Sequence, residues 1–260
     1  MKNIHMTRYK QDHAVKLQVA DQGIELVLKN EVGVNVEAFN PLEFYNQSDS
    51  SNIKLVVYQR RPAAPRALFD ASSREMVYYS RHLSIHDMRM LLSYLAGHYS
   101  ERYEAVHGAG FVVGTGLFGR NPKGILLLGP SKSGKSTLAK ALGDKKTLDD
   151  DIICMDRDSI YVSGRVGSMT SKNNDLYFQE EGIRETSLDR VFLLDRYREG
   201  GFIEETDSQI TRDKSVFDTL PDNLKSAYIG LPPIDTNARV FVIGTKGNKR
   251  RTKKAIRSTL

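Results

Sequence analysis

Over much of its first third the chain alternates apolar and polar residues. His13-Ala14-Val15-Lys16-Leu17-Gln18-Val19, Ile24-Glu25-Leu26-Val27-Leu28 and Val32-Gly33-Val34-Asn35-Val36-Glu37-Ala38 each repeat with period two. That period predicts half-buried strands, with turns at Gln22-Gly23 and Asn30-Glu31 between them. The stretch 46–52 is polar with no apolar period and reads as a loop. Ile53-Lys54-Leu55-Val56-Val57-Tyr58 is a further strand. Arg61-Pro62-Ala63-Ala64-Pro65 cannot sit in a central strand, because its prolines lack ladder donors. Ala67-Leu68-Phe69-Asp70 and Glu75-Met76-Val77-Tyr78-Tyr79 predict one more hairpin. No catalytic constellation stands out in this part, so its expected role is scaffold or substrate docking.

The period then changes. Ser84-Ile85-His86-Asp87 opens a helix with a capping-box-like start, Asp standing in place of Glu or Gln. Met88, Leu91, Leu92, Leu95, Tyr99 and Tyr103 follow at helical spacing. His86 and His98 lie on this helix without a second ligand at i+3 or i+4, so structural roles are expected for both.

After it come His107-Gly108-Ala109-Gly110-Phe111-Val112-Val113 and a G-x-G-x-x-G at Gly114, Gly116 and Gly119. A dinucleotide fingerprint must open a helix. Here Arg120-Asn121-Pro122-Lys123-Gly124 leads straight into another apolar run, so the stretch reads as a long hairpin turn instead.

That apolar run, Gly124-Ile125-Leu126-Leu127-Leu128, predicts a buried strand. It feeds Gly129-Pro130-Ser131-Lys132-Ser133-Gly134-Lys135-Ser136-Thr137, which fits G-x-x-x-x-G-K-[ST]. Leu138-Ala139-Lys140-Ala141-Leu142 continues as a good helix former, closed by Gly143. Strand, glycine loop and helix N-terminus follow in the order a phosphate cradle needs. Backbone N–H groups and the positive end of the helix dipole converge on phosphate oxygens in such a loop. Lys135 would reach the β- and γ-phosphates of a nucleoside triphosphate, and the Ser136 hydroxyl would ligate Mg²⁺.

Beyond this helix, Thr147-Leu148-Asp149-Asp150-Asp151-Ile152-Ile153-Cys154-Met155 places three carboxylates between two short strands. Adjacent acids repel one another and call for a cation nearby, with a solvated acidic turn as the alternative reading. The pattern argues against a calcium loop, because the alternating acids and their distant Glu are absent. Ser159-Ile160-Tyr161-Val162-Ser163 alternates, and 164–175 is turn-rich and suited to a lid. Asp189-Arg190-Val191-Phe192-Leu193-Leu194-Asp195 has a buried strand core. Residues 204–220 read as loop then helix, and Ala238-Arg239-Val240-Phe241-Val242-Ile243-Gly244 as a last strand.

Composition narrows the function classes. Apolar residues make up 40% and charged residues 27% of 260, which is globular. The single Cys154 excludes an intramolecular disulfide framework and suits a reducing cytoplasm. No apolar leader or long uncharged run indicates secretion or a membrane span. The net charge of +6 is concentrated at the end of the chain. Of 38 basic residues, seven lie in 246–260 with no acid, leaving 31 against 32 acids elsewhere. A body near neutrality argues against a nucleic-acid partner. The tail reads as a solvated terminal segment with a helix over 252–259, and as an RNA- or acidic-partner arm in the alternative reading.

The histidine-glycine entry, hairpin, phosphate loop and acidic trio together resemble the kinase domain of bacterial HPr kinase/phosphorylase and its smaller relatives, across roughly residues 105–200. That family shares its nucleotide-site architecture with phosphoenolpyruvate carboxykinase. The resemblance implies a mixed α/β (α+β) fold with a phosphate-loop kinase domain of that type. The expected divisions are a β-rich N-terminal region at 1–83, a connecting helix at 84–106, the kinase domain at 107–245 and the basic tail at 246–260.

The resemblance also implies roles. Asp150 is the general base that takes the proton from an attacking hydroxyl, and Asp151 holds Mg²⁺ with Ser136; a one-residue shift to Asp149 and Asp150 is the alternative pair. His107 matches the family's histidine near the phosphates, with a hairpin-start structural role as its alternative. Arg165 and Arg239 are candidate arginines for the site. No good copy of the family's phosphorolysis segment is present, and 231–239 is at most a distant echo. The expected activity is therefore ATP- and Mg²⁺-dependent transfer to a hydroxyl, foremost serine of a protein or peptide. A small-metabolite kinase and a non-catalytic ATP-binding regulator are the alternatives. A homo-oligomer is left open.

Overall fold

The structure is a computed structural model. It describes residues 13–29, 45–59, 66–70, 72–80, 85–113, 122–143, 147–149, 152–161, 166–170, 175–178, 185–214 and 220–260. The fold is mixed α and β with several sheets.

The first sheet comes from the alternating segments. β1 (His13–Val19) and β2 (Gln22–Lys29) pair antiparallel, with Val19 opposite Gln22. β3 (Asn46–Gln47) adds to β1, inside the segment expected to be loop throughout. Two residues suffice to pair with Leu17 and Gln18, and the Ser48 N–H adds a last bond to the Lys16 carbonyl at 3.1 Å. β4 (Ile53–Gln59) joins β2 in parallel, and β6 (Glu75–Ser80) joins β4 in parallel. β5 (Arg66–Asp70) closes the edge as the expected hairpin with β6. The expected strand at 32–38 lies outside the described residues.

α1 (Ile85–Tyr99) packs between this sheet and the next. Met88, Leu91, Leu92 and Leu95 are buried as their spacing predicts, but so are Met90, Ser93, Tyr94 and Ala96. A helix covered on nearly every side sits between two sheets and loses the polar face expected of a surface helix. It ends at Tyr99, so Tyr103 is not part of it. The Ser100 hydroxyl accepts from the Arg102 and Tyr103 N–H groups and turns the chain. A strand then begins at Glu104, inside the segment expected to belong to the connecting helix.

That strand, β7 (Glu104–Val113), is the axis of the second sheet. It pairs antiparallel with β8 (Lys123–Leu128), Val113 opposite Lys123, as a hairpin. The glycines at 114, 116 and 119 lie outside the described residues. β9 (Thr147–Asp149) and β10 (Ile152–Met155) both lie along β7. β11 (Ser159–Tyr161) pairs with β10 and also with the start of β14 (Glu185–Glu199). β7, β8, β14, β11 and β10 thus close a ring. β12 (Val166–Thr170) and β13 (Asp175–Phe178) form a separate ribbon, so part of the expected lid is paired strand.

β14 is long because it serves β11, β8 and β18 in turn. β18 (Arg239–Lys246) is parallel to β14, which is parallel to β8. β15 (Ile203–Thr206) forms the far edge antiparallel to β18. Here 204–220 departs from the expected loop and helix: β15, β16 (Gln209–Ile210) and a 3-10 turn at Arg212–Lys214 precede α3 (Asp222–Ile229). β16 pairs with β17 (Ile234–Asp235).

α2 (Lys135–Gly143) and α4 (Lys249–Thr259) cover one face of the parallel strands. Leu138, Ala139 and Ile256 share a core there with Phe192, Leu194 and Phe241. The basic tail is therefore a docked helix, which begins three residues earlier than expected. Among the described residues, no helix is long and apolar enough to cross a membrane.

Candidate functional site

β8 delivers the chain directly into the glycine loop, and α2 leaves it. Four apolar residues with no exposed surface, Ile125 to Leu128, hold β8 in the sheet. Gly129 follows at a close approach: a Cβ there would meet the Leu194 carbonyl oxygen of β14 at 2.8 Å. The loop then turns tightly. The Ser133 N–H donates to the Pro130 carbonyl at 3.2 Å. Lys132 takes a left-handed φ of +64° and Gly134 a φ of +99°. Left-handed backbone at a non-glycine residue costs energy, and such strain clusters at ligand clamps.

The Leu138 N–H donates to the Gly134 carbonyl at 2.9 Å. The amides of residues 134–137 therefore precede the first intrahelical bond and emerge from the helix N-terminus. A Cβ on Gly134 would meet nothing within 4 Å, so the space beside that residue is open. Ser133 is only 5% exposed, yet its Oγ makes no hydrogen bond among the described residues. Lys135 is 6% exposed, and its Nζ donates to the Gly129 carbonyl at 2.8 Å and the Pro130 carbonyl at 3.3 Å. An ammonium, a buried hydroxyl and a set of amide donors are gathered within one tight loop of seven residues, 129–135. That donor set suits a phosphate group. Ser131 and Lys132 are exposed, Ser136 is half-buried, and Thr137 is exposed.

β7 gathers the other candidates. Leu128, the last residue before the loop, lies opposite Gly108. Next along, His107 lies opposite Ile152, and Gly110 lies opposite Asp149. The two ends of the acidic stretch thus lie along the edge of β7 opposite β8, two strand spacings or about 10 Å from the phosphate-loop strand. Asp149 is placed by its backbone in β9, whereas Asp150 and Asp151 lie outside the described residues. His107 is half-buried on β7. Three residues earlier, Glu104 holds the start of β7 through a two-pronged bond with Arg212 at 2.9 and 3.0 Å. Burial disfavours the Arg212 charge, but the Glu104 carboxylate more than compensates and raises its pKa.

The two arginine candidates separate from this picture. Arg165 lies outside the described residues. Arg239 stands at the first position of β18, opposite Arg190. The phosphate loop leaves the carboxyl end of β8, and parallel pairing puts the start of β18 at the other end. Arg239 instead forms a two-pronged pair with Glu205, at 2.8 and 2.6 Å.

A residue overlooked in the sequence enters here. Asp195 ends the apolar run Val191-Phe192-Leu193-Leu194 at the carboxyl end of β14, next to the contact between Leu194 and Gly129. Its carboxylate accepts from the Tyr197 N–H at 2.8 Å and pairs with Arg198 at 3.4 Å. The signal was four apolar residues followed by an acid at a strand end. It becomes informative only when that strand is known to neighbour β8.

No protein-family model matches the chain, and no curated protein matches it.

Proposed function

We propose that the protein is an ATP- and Mg²⁺-dependent kinase that phosphorylates a hydroxyl, foremost a serine of a protein or peptide. The observation that carries this reading is the strand–loop–helix unit itself, a tight loop that holds the Lys135 ammonium against the Gly129 and Pro130 carbonyls beside the buried Ser133 hydroxyl and the α2 amides. The pairing of Asp149 and Ile152 with β7, the strand that neighbours β8, supports transfer chemistry rather than binding alone. The finer fold reading is a phosphate-loop kinase domain of the HPr kinase/phosphoenolpyruvate carboxykinase type. The parallel β8, β14 and β18 with antiparallel β7 are compatible with it.

Phosphoryl transfer needs positioning and charge neutralisation more than covalent chemistry from the protein. In this reading the loop from Gly129 to Thr137 holds the phosphates and Lys135 neutralises charge on them. Ser136 and Asp151 would hold Mg²⁺, which would offset the negative charge of the phosphates. Asp150 accepts the proton of the acceptor hydroxyl as the new O–P bond forms, and ADP departs with the electrons of the broken bond. His107 is the neighbouring polar group on β7. The test is transfer of labelled γ-phosphate to serine peptides and to cell extract, with mass spectrometry of the products. Asp150→Asn is expected to cut turnover by about 10²–10⁴-fold while ATP still binds. Wild-type turnover in that variant would reject the base assignment. ATP binding that is lost in Lys135→Ala, without any phosphorylated product, would leave a nucleotide-binding regulator; a phosphorylated metabolite would make the protein a small-molecule kinase.

A further inference from the structure

The end of the chain spends positive charge where a helix does not favour it. α4 opens with Lys249, Arg250 and Arg251 and has no acid in its first turn. Cations there oppose the positive end of the helix dipole. Lys249, Lys253 and Arg257 then stand four residues apart on one stripe, and Arg250 and Lys254 on the next, so like charges repel along the helix. None of these six cations makes an ion pair among the described residues. Local preference and observed structure conflict, and such conflicts concentrate at functional surfaces.

The helix is nonetheless firmly placed. Asn248 caps it by accepting the Arg250 N–H at 3.0 Å. The buried Thr252 hydroxyl donates to the Gly244 carbonyl at 2.9 Å, and Ile256 is fully buried against the sheet. Its cations are therefore held at fixed spacing rather than carried on a loose tail. β18 is parallel to β8 through β14, so the chain leaves β18 at the same sheet end at which β8 enters the phosphate loop. The first turn of α4 thus lies along the carboxyl edge that carries Gly129–Gly134 and Asp195. In open α/β sheets, ligands bind along that edge.

We infer that the exposed face of α4 binds an acidic segment of a polypeptide, a short run of carboxylates or phosphorylated residues. It rests on the kinase reading only in identifying that polypeptide as the acceptor; the binding itself does not need transfer. Four observations favour a peptide over a nucleic acid. The stripe from Lys249 to Arg257 is short, roughly 12 Å at the rise of an α-helix. The rest of the chain has 31 basic residues against 32 acidic ones and supplies no basic track for a longer polyanion. The adjoining hairpin end is acidic as well as basic: Glu199 pairs with Lys246, and Glu204 with Arg198. The exposed aromatic rings there, Tyr197 and Phe202, already carry the guanidinium groups of Arg196 and Arg198 against them.

The test is fluorescence anisotropy with the full chain, in the absence of ATP. The probes are a labelled peptide of six Asp and Glu residues around a serine, its Asn/Gln counterpart, and a 12-nucleotide uridine-rich RNA. The acidic peptide is expected to bind at least tenfold more tightly than the neutral one, with affinity falling as salt rises. The variant Lys249→Gln/Arg250→Gln/Lys253→Gln/Lys254→Gln is expected to lose at least tenfold of that affinity. Its melting temperature should hold or rise, because repulsion on the helix is relieved. Equal binding of both peptides, or unchanged binding in the folded variant, overturns the inference. So does tighter binding of the RNA than of the acidic peptide, which would make the surface a nucleic-acid site. A fall in melting temperature is resolved by the single changes Lys249→Gln and Lys254→Gln, each expected to weaken peptide binding about twofold or more in a folded chain; no weakening in either also overturns it. If the kinase reading fails, no phosphopeptide forms but the binding pattern remains. If the docking inference alone fails, transfer proceeds with equal KM on acidic and neutral peptides.

Discussion

Two regions bring positive charge to the same end of the second sheet, by opposite means. The phosphate loop uses backbone: amides at the N-terminus of α2, a glycine at φ +99°, and one buried lysine tethered to loop carbonyls. α4 uses side chains, six long cations of which five are exposed and three stand in the first turn against the helix dipole. A backbone cradle is rigid and close, and suits a phosphate that must be held while it reacts. A cationic helix face is long-range and tolerant, and suits recruitment of a partner. The comparison predicts that perturbing the first damages nucleotide chemistry, whereas perturbing the second damages partner capture and its salt dependence.

The largest expected effect separates anchoring from charge. Ile256→Ala empties a fully buried position under α4 and should cost about 2–5 kcal/mol of stability in denaturant melts. A loss below about 0.5 kcal/mol would mean that the helix is not docked and the contrast collapses. Next, Gly134→Ala puts a side chain at φ +99° on the open side of the loop. The strain should cost about 1–3 kcal/mol. Nucleotide affinity by calorimetry should fall at least tenfold, with affinity for the acidic peptide unchanged. Asn248→Ala removes the cap of α4 and should cost about 1 kcal/mol. It should also weaken the acidic peptide and leave ATP binding intact.

The smallest effect is a control outside both regions. Burial, and then the Glu185 carboxylate, push the Tyr103 hydroxyl up to about 12. A folded-state value above the unfolded 10.0 favours the neutral hydroxyl in the folded protein. That contribution is complete below pH 10 and is lost as pH rises towards about 12. Tyr103→Phe should flatten this alkaline decline in urea melts and leave both binding sites untouched.

The strands of the first sheet were legible because Leu17, Val19, Ile24, Leu26, Leu55 and Met76 recur with period two. Their inward faces needed no knowledge of partners. α1 was legible as a helix, but its burial was not, since Tyr94 and Ala96 are covered by strands distant in sequence. Region 204–220 misled because Ile203 and Ile210 carry too little apolar pattern to announce strands. Pairing with β18 and β17 makes them strands. In the site, the phosphate loop was readable because its chemistry is local. Asp195 and the misplacement of Arg239 were not, because each depends on which strand lies beside which.

The sequence alone determined the strand–loop–helix unit around Gly129 to Thr137, where glycine conformation, one lysine and a helix start act within a few residues of each other. It also determined that positive charge gathers at 246–260. Tertiary structure alone decided that β7 sets His107 and the ends of the acidic stretch beside that unit, and that the basic segment is a helix at the same sheet edge. Both depend on parallel and antiparallel pairing between strands far apart in the chain. Pairing is settled by the burial of whole faces, a property that no single segment carries.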